Sequence, residues 1–286
     1  MSRIAVLTDS SSIRTELARE YGISIIPLTI CWGDEAYLEG ETIDASTFYR
    51  QLKERKDLPT TSQPSMGEFM VKFRAVAREF DTDTILGVIV SSRISGTFLS
   101  AQQAKAELPD LNIELVDAGF ISMGTGFQAM VAARMAREGA ALSDILARLK
   151  RVRESMEIFC AMETLEYLHR GGRIGGAARF MGALLNLKPI LTMANGQIEA
   201  FEKIRTRKKS LQRIVEVVEE RLAGRRPIEL AVVQAAAEQA DIDYLTGMLK
   251  ERLDPQQLLI EEFMPVIGIH SGPGTLGVVY YTDDGL

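Results

Sequence analysis

The chain has 286 residues, with 33 Lys and Arg against 39 Asp and Glu, a formal net charge of −6, two Cys and two His. The acidic balance argues against a dedicated nucleic-acid binder, whose affinity rests on clustered positive charge, and two histidines with two distant cysteines cannot build a multi-histidine or Cys-rich metal site. A carboxylate-held Mg²⁺ or Ca²⁺ stays open at this point. At 46% hydrophobic and 25% charged the composition is that of a globular protein long enough for two domains. No stretch approaches the roughly 18 apolar residues of a membrane span, and the opening MSRIAVLTDS lacks a secretory signal. A cytoplasmic protein with no stable membrane insertion is expected. Cys31 and Cys160 each sit in an apolar strand-like run and read as small core residues.

Residues 3–8 and 23–30 are apolar runs of β-branched character, and between them a helix is predicted from a Ser12 cap to Gly22. A helical pattern covers 44–55, a polar loop runs from Pro59 to Ser65, and Ser65-Met66-Gly67-Glu68 fits a capping box opening the next helix. A strand at 84–90, a Ser- and Gly-rich loop, a helix at 97–107, a strand at 113–116 and a helix at 121–137 follow. This alternation predicts an α/β fold, with a mostly parallel Rossmann-like sheet and helices on both faces, over an N-terminal domain of residues 1–155. A helix at 144–154 closes that pattern. Beyond it come a strand at 157–163, a Gly- and Arg-rich segment, and Asn195-Gly196 between the runs 189–193 and 197–201, a strong hairpin signal. Helices at 207–222 and 238–252 and strands at 228–234, 258–264 and 275–281 complete a second α/β domain, residues 156–286, with a mixed or antiparallel sheet.

Four loops concentrate small polar residues and glycine where strands should end: 8–12, 60–65, 91–97 and 270–274. Ligands of open α/β sheets sit beyond the carboxyl ends of the strands, at helix starts rich in N–H donors, and such a place favours an anion. Each loop taken alone also reads as an ordinary set of helix caps. The loop 91–97 lacks the glycine spacing and Lys of a Walker loop, and no Gly-x-Ser-x-Gly elbow exists. His270 lies between an apolar run and Gly272-Pro273-Gly274, at a sharply defined turn from which it can donate to a carboxylate; a satisfied core or turn histidine is the plain alternative. His169 reads as a surface residue. In 120–137 small residues alternate with Met and Phe, which suits either helix packing on a sheet or an adaptable apolar cavity. The basic stretches 170–173 and 203–209 suit docking of an anionic partner or a solvated helix start, and positive charge at a helix N-terminus raises the functional reading of Arg207 to Lys209.

In this order the segments resemble the DegV family of bacterial fatty-acid-binding proteins. The resemblance is carried by Thr8-Asp9-Ser10, Pro27-Leu28, Thr61-Ser62-Gln63-Pro64-Ser65, Ser95-Gly96-Thr97, Asp117 and Ser122-x-Gly124-x-Gly126. It continues through Leu165-x-x-Leu168-x-Arg170-Gly171-Gly172-Arg173-Ile174, Lys188-Pro189-Ile190-Leu191 and His270-x-Gly272-Pro273-Gly274, and so covers nearly the whole chain. It implies a non-catalytic binding subunit of a bacterial fatty acid kinase. Such a subunit holds a long-chain fatty acid in a tunnel between its domains, without a metal or cofactor, and presents the carboxylate to a separate ATP-dependent kinase subunit for acyl-phosphate formation. By that similarity Thr61, Ser62, Ser95, the backbone of Gly96 and His270 would hold the carboxylate. Phe120, Met123, Phe127 and Met130 are the tunnel candidates, and Arg170, Arg173, Lys203 and Arg205 would face the kinase. Ala118 after Asp117 and the pair Ile13-Arg14 depart from the family's usual residues, and neither removes a carboxylate donor. The rival readings are a lipid-sensing regulatory module, and a small-molecule hydrolase or transferase using Ser95 or Ser10 with His270.

Overall fold

Ile4–Asp9 forms strand β1, whose alternate residues point to opposite sides of a parallel sheet. In the computed structural model, which describes residues 3–55, 57–181, 187–225 and 227–282, the chain divides into two units. One is Met1–Arg153 with a short return, Met264–Val266; the other is Glu154–Phe263 with Ile267–Leu286.

In the first unit β1 leads to α1 (Thr15–Tyr21), β2 (Ile23–Ile26), β3 (Thr29–Trp32), β4 (Glu35–Leu38), α2 (Ala45–Glu54), β5 (Thr60–Ser62) and α3 (Met66–Phe80). Then come β6 (Thr84–Ile89), α4 (Thr97–Ala106), β7 (Asn112–Asp117), α5 (Met123–Arg137) and α6 (Leu142–Ser155). The parallel sheet has the order β2-β1-β6-β7. The chain adds strands to one side of β1 and then to the other, so the switch point lies between β1 and β6, where open α/β sheets take ligands. Phe69, Phe73 and Val76 of α3 and Ala101 and Ala104 of α4 pack with Ala5, Leu7, Ile85 and Ile89 in one core. Helices α1 and α5 contact each other, and α5 also packs on β1.

Three local expectations need correction, the first being that residues 60–62 of the expected polar loop 59–65 form strand β5, paired with β3. The apolar run 23–30 is two strands, because Pro27 offers no backbone donor to continue a ladder. Its first part joins the parallel sheet, whereas β3 pairs antiparallel with β4 and β5 in a separate three-stranded sheet. Ser12 does not cap α1: its hydroxyl donates to the Asp9 carbonyl and accepts from Thr8, and the helix starts after Arg14. The α1 stop at Gly22 (φ 69°) and the reciprocal Ser65–Glu68 capping box are as the sequence predicts.

The second unit runs β8 (Glu157–Ala161), α7 (Glu166–Arg170), a 3-10 turn (Gly175–Phe180), β9 (Ile190–Ala194), β10 (Gln197–Glu202) and α8 (Arg207–Leu222). It continues with β11 (Pro227–Gln234), α9 (Gln239–Leu253), β12 (Gln257–Glu262), α10 (Pro265–Ser271) and β13 (Leu276–Thr282). Its six-stranded sheet, order β10-β9-β8-β13-β11-β12, is mixed: β11 and β12 are parallel and the other pairs antiparallel. Asn195 (φ 50°) and Gly196 (φ 77°) form the predicted hairpin turn, both residues in the left-handed region that this turn demands. The apolar faces of α8 (Leu211, Ile214, Val218) and α9 (Leu245, Leu249) pack on Phe159, Val232 and Val278 of the sheet. Two predictions differ here. The strand expected at 258–264 ends at Glu262, and the apolar run before His270, read as extended, is helix α10. Pro265 starts that helix, where its missing N–H costs nothing.

Candidate functional site

The loops after β1 and β6 are tied together by Asp9. This side chain is fully buried; its Oδ2 accepts from Val90 N at 2.7 Å and its Oδ1 from Ser11 N (3.1 Å) and Ser11 Oγ (2.5 Å). Helix α5 closes on the same loop, for a Cβ on Gly126 would stand 2.8 Å from the Ser12 carbonyl. Beyond Val90 the chain folds back through Ile94 N and Ser95 N, both donating to the Ser91 carbonyl, and enters α4. Gly96 is the residue before α4; no side chain caps that end, and its first turn holds no acid. The positive end of this ten-residue helix thus carries no neutralising acid and no cap from Gly96 itself. Ser95 Oγ lies 2.8 Å from Thr97 Oγ1 and 3.3 Å from Thr97 N, so its hydroxyl is held at that helix start.

The loop 60–65 meets the same place. Thr61 pairs with Ile30 and Ser62 with Thr29 across β3, while the Ser65 capping box fixes the loop's exit. A Cβ on Gly96 would fall 2.4 Å from Gln63 Nε2, so the Gln63 side chain lies directly against the Gly96 backbone. Thr61, Ser62, Ser95 and Gly96, four of the five expected carboxylate donors, all lie in the first unit, and the Gln63 side chain reaches from the 60–65 loop to Gly96. Phe120, Met123, Phe127 and Met130 are all buried on or just before α5 of that unit. Gly124 packs directly on the Phe120 side chain, and Gln128 Nε2 donates to the Ala118 and Gly124 carbonyls.

His270, the fifth, stands in the last turn of α10 in the second unit. Its imidazole covers Gly171, where a Cβ would come 2.1 Å from Nδ1. Gly172 (φ 68°) then turns the chain and Arg173 donates to the Gly171 carbonyl at 2.7 Å. Burial and the Arg173 cation push the His270 pKa down to about 4, so at neutral pH it is an uncharged ring that can donate from one nitrogen. Arg170 is exposed and paired with Glu166 at 2.7 Å. Lys203 and Arg205 are exposed after β10, and Lys203 Nζ lies 5.2 Å from the Phe180 ring centroid, within the 3-10 turn that follows Arg173. Arg207, given a functional reading from the helix dipole, instead ties α8 to α9 through Asp241 at 2.7 Å. His169 is exposed, as predicted. Both cysteines are free; Cys160 is buried and its thiol is pushed up to about 12. Among the described residues no group of three or more His, Cys, Asp or Glu is placed to hold a metal.

Two residues of consequence carry no clear sequence signal. Asp9 is visible only as an acid followed by serines, and Glu39 looks like its acidic neighbours Asp34, Glu35 and Glu41. Yet Glu39 is buried, and its pKa is raised to about 8 by burial, with the nearby Asp9 charge adding to the rise. An unfolded glutamate releases its proton near 4.5, so the unfolded chain binds fewer protons than the fold between about 4.5 and 8, and stability falls as pH rises through that window. His270 acts in the opposite sense between about 4 and its ordinary 6.5, where stability falls as pH drops. Above pH 6.5 the Glu39 effect is unopposed by His270. The first unit is expected to lose about 2 kcal/mol between pH 6.5 and 8, or about 4–8 °C in melting temperature, and Glu39→Gln is expected to abolish the loss. Scanning calorimetry of both proteins across that range checks this; parallel slopes would contradict it.

A parallel sheet with hydroxyl-rich loops at its switch point, in one unit, and a mixed sheet carrying a buried imidazole, in the other, define a two-unit α/β protein built without a metal cluster among its described residues. The chain belongs to the DegV family, whose model, described as a family of uncharacterised proteins, matches residues 3–283. Protein DegV of Bacillus subtilis is 34% identical over 279 residues, covering 97% of this chain and 98% of the relative. A DegV domain-containing protein of Clostridium perfringens is 36% identical over 282 residues, with 97% and 98% covered. Among solved structures, a DegV family protein from Thermus thermophilus, described for its fatty acid binding, superposes with a TM-score of 0.91 at 33% identity, covering 98% of this chain and all of that one. DegV of Bacillus subtilis, described as a fatty acid binding protein, gives 0.89 at 33% identity, with 99% and 100% covered.

Proposed function

We propose that this protein binds a long-chain fatty acid and presents its carboxylate to a separate kinase subunit. The observation that carries the reading is the contact of Gln63, from the loop 60–65, with Gly96 at the acid-free start of α4, where the Ser95 hydroxyl is held. Hydroxyls of Thr61, Ser62 and Ser95 and the backbone of Gly96 form a donor set suited to a carboxylate, and His270 is the proposed fifth donor. Fatty acid binding by relatives about one-third identical over the full chain supports the same reading. The acyl tail is proposed to lie in an apolar tunnel lined by Phe120, Met123, Phe127 and Met130. Burying about 14 methylenes at ~0.8 kcal/mol each supplies about 11 kcal/mol of gross driving force, before the costs of ordering and desolvation. The head-group bonds mainly set orientation and avoid an unpaired buried charge.

The protein is proposed to have no catalytic step of its own. A base held near pKa 4 is largely without driving force as a proton acceptor at neutral pH, which weighs against a Ser95–His270 or Ser10–His270 hydrolase. Arg170, Arg173, Lys203 and Arg205 are proposed to meet the kinase and the developing acyl-phosphate. No helix among the described residues is long and apolar enough to cross a membrane, and a cytoplasmic setting fits exchange with a partner that uses ATP.

Native mass spectrometry is expected to show an added mass of a C14–C18 acid on the purified protein, or on delipidated protein offered palmitate. A clean apo mass under both conditions would sink the reading. Ser95→Ala is expected to lower palmitate affinity about tenfold, the value of a hydrogen bond to a charged group. Kinase-coupled turnover lost in Arg173→Ala with lipid affinity intact would favour the carrier over a lipid-sensing module.

A further inference from the structure

Glu39 is 1% exposed, and its two carboxyl oxygens join two different segments. Oε2 accepts from Ser10 Oγ at 2.5 Å, whose oxygen in turn accepts from Leu28 N, and Oε1 accepts from Val266 N at 2.7 Å. Val266 belongs to the return Met264–Val266, which packs with the first unit before the chain goes on into the second. It is also the second residue of α10. Pro265 has no N–H, so Val266 offers the first backbone donor of that helix, one of the donors that no helical carbonyl can satisfy. One turn later, at i+4 and on the same helix face, stands His270.

We propose that Glu39 is a positioning residue for the lipid head group: by holding Val266 N it fixes the first turn of α10 and thereby the setting of His270. The inference rests on the reading of His270 as a carboxylate donor. The backbone N–H of Glu39 is itself anchored on the Leu28 carbonyl, and Glu39 bridges to Ile43, so the carboxyl is presented from a fixed stem. Of the segments about it, Leu28, Ile43 and Met264–Val266 are apolar, and the 8–12 loop contributes Asp9 as its one ionisable side chain among the described residues. No cation among the described residues contributes to its shift. Neutral Glu39 keeps one oxygen as the acceptor for Val266 and shares a proton with Ser10 through the other. Ionised Glu39, facing Asp9, draws in water and slackens the hold.

The test uses full-length delipidated protein and palmitate as the probe. Affinity is measured at pH 7 and pH 9, alongside amide-exchange protection of residues 266–270, for the native chain, Glu39→Gln, Glu39→Leu, His270→Ala and the double variant Glu39→Leu with His270→Ala. Glu39→Leu is expected to bind about tenfold more weakly at pH 7 and to lose protection at 266–270. Glu39→Gln, which keeps an acceptor for Val266 and a donor for Ser10, is expected to rescue both. Native affinity is expected to fall several-fold from pH 7 to 9, and Glu39→Gln to be flat. The double variant should be no weaker than His270→Ala alone, since the acid acts through the imidazole. Additive losses, identical pH profiles for the native and Gln proteins, or native affinity in Glu39→Leu would each overturn the proposal. If His270→Ala binds palmitate normally, the reading of His270 fails and the positioning role with it. If His270→Ala weakens binding while Glu39→Leu does not, only the Glu39 proposal fails.

Discussion

Asp9→Ala is expected to be the most damaging single change in the first unit. Its carboxylate satisfies three donors, Val90 N, Ser11 N and Ser11 Oγ, in a place with no water access. Removing it leaves two buried backbone N–H groups and a hydroxyl without acceptors, at about 1–3 kcal/mol for each group left unsatisfied, so a loss of about 4 kcal/mol or more is expected. Asp9→Asn keeps an acceptor oxygen toward one side and should cost about half as much. The consequence reaches the lipid. Val90 opens the loop that ends at Ser95 and Gly96, so releasing its N–H frees the stretch that carries the proposed carboxylate donors. Palmitate affinity of Asp9→Ala, measured at a temperature where circular dichroism shows it folded, is expected to be at least tenfold below native. A stable Asp9→Ala protein with native affinity would show that the loop holds its shape without this clamp.

Gly171→Val is expected to abolish the head-group contact proposed for His270, at an overpacking cost of about 1–3 kcal/mol. Gly171 has φ −75° and ψ −4°, a conformation open to any residue, so backbone strain plays no part. What excludes a side chain is the imidazole, 2.1 Å from the position of a Cβ. Either the ring leaves or the 170–173 turn moves, and both separate His270 from its present setting. The neighbouring Gly172 offers the reverse case: φ is 68° and nothing lies within 4 Å of its would-be Cβ. Gly172→Ala should therefore cost about 1–2 kcal/mol of stability through strain alone and leave the imidazole in place. Lipid affinity and denaturant midpoints measured on both variants separate the two effects. Binding should fail in Gly171→Val to the level of His270→Ala, whereas Gly172→Ala should lose stability and keep its binding. Equal binding in both would remove His270 from the recognition of the acid.

These contrasts show which parts of the molecule a sequence discloses. Local chemistry with one physical answer is legible: Asn195-Gly196 makes a turn, Ser65 with Glu68 makes a box, and Gly22 stops a helix. The alternation of β1, α1, α3, β6, α4, β7 and α5 is legible from apolar runs and capping chemistry, whereas β4 and β5 leave no such signal. Legibility fails where a neighbour distant in sequence decides. Val266-Ile267-Gly268-Ile269 is β-branched enough to suggest a strand, yet it is helical, with Pro265 at its first position as the overlooked signal. Pro27 similarly divides a run whose hydrophobicity is continuous. Of the proposed carboxylate donors, Ser95 and Gly96 stand out as a hydroxyl and a glycine at a helix start, and the contact of Gly96 with Gln63 appears only in the structure. Arg207 misled because the dipole argument considers one helix, while its real partner, Asp241, sits on another. Glu39 was illegible for the plainest reason: burial of a single acid in an acidic stretch leaves no trace in composition.

The return of Met264–Val266 to the first unit has a bearing on how the protein is made. A ribosome releases Arg153 more than a hundred residues before it releases Val266. An N-terminal α/β unit can begin to fold as it emerges, but throughout that interval the Glu39 carboxyl has no Val266 amide to meet. The nascent unit is thus completed late, by three residues that arrive after most of the second unit has been synthesised. A gene fragment cut at the Arg153–Glu154 junction would lack them, and the fragment encoding the remainder would carry them away from their acceptor.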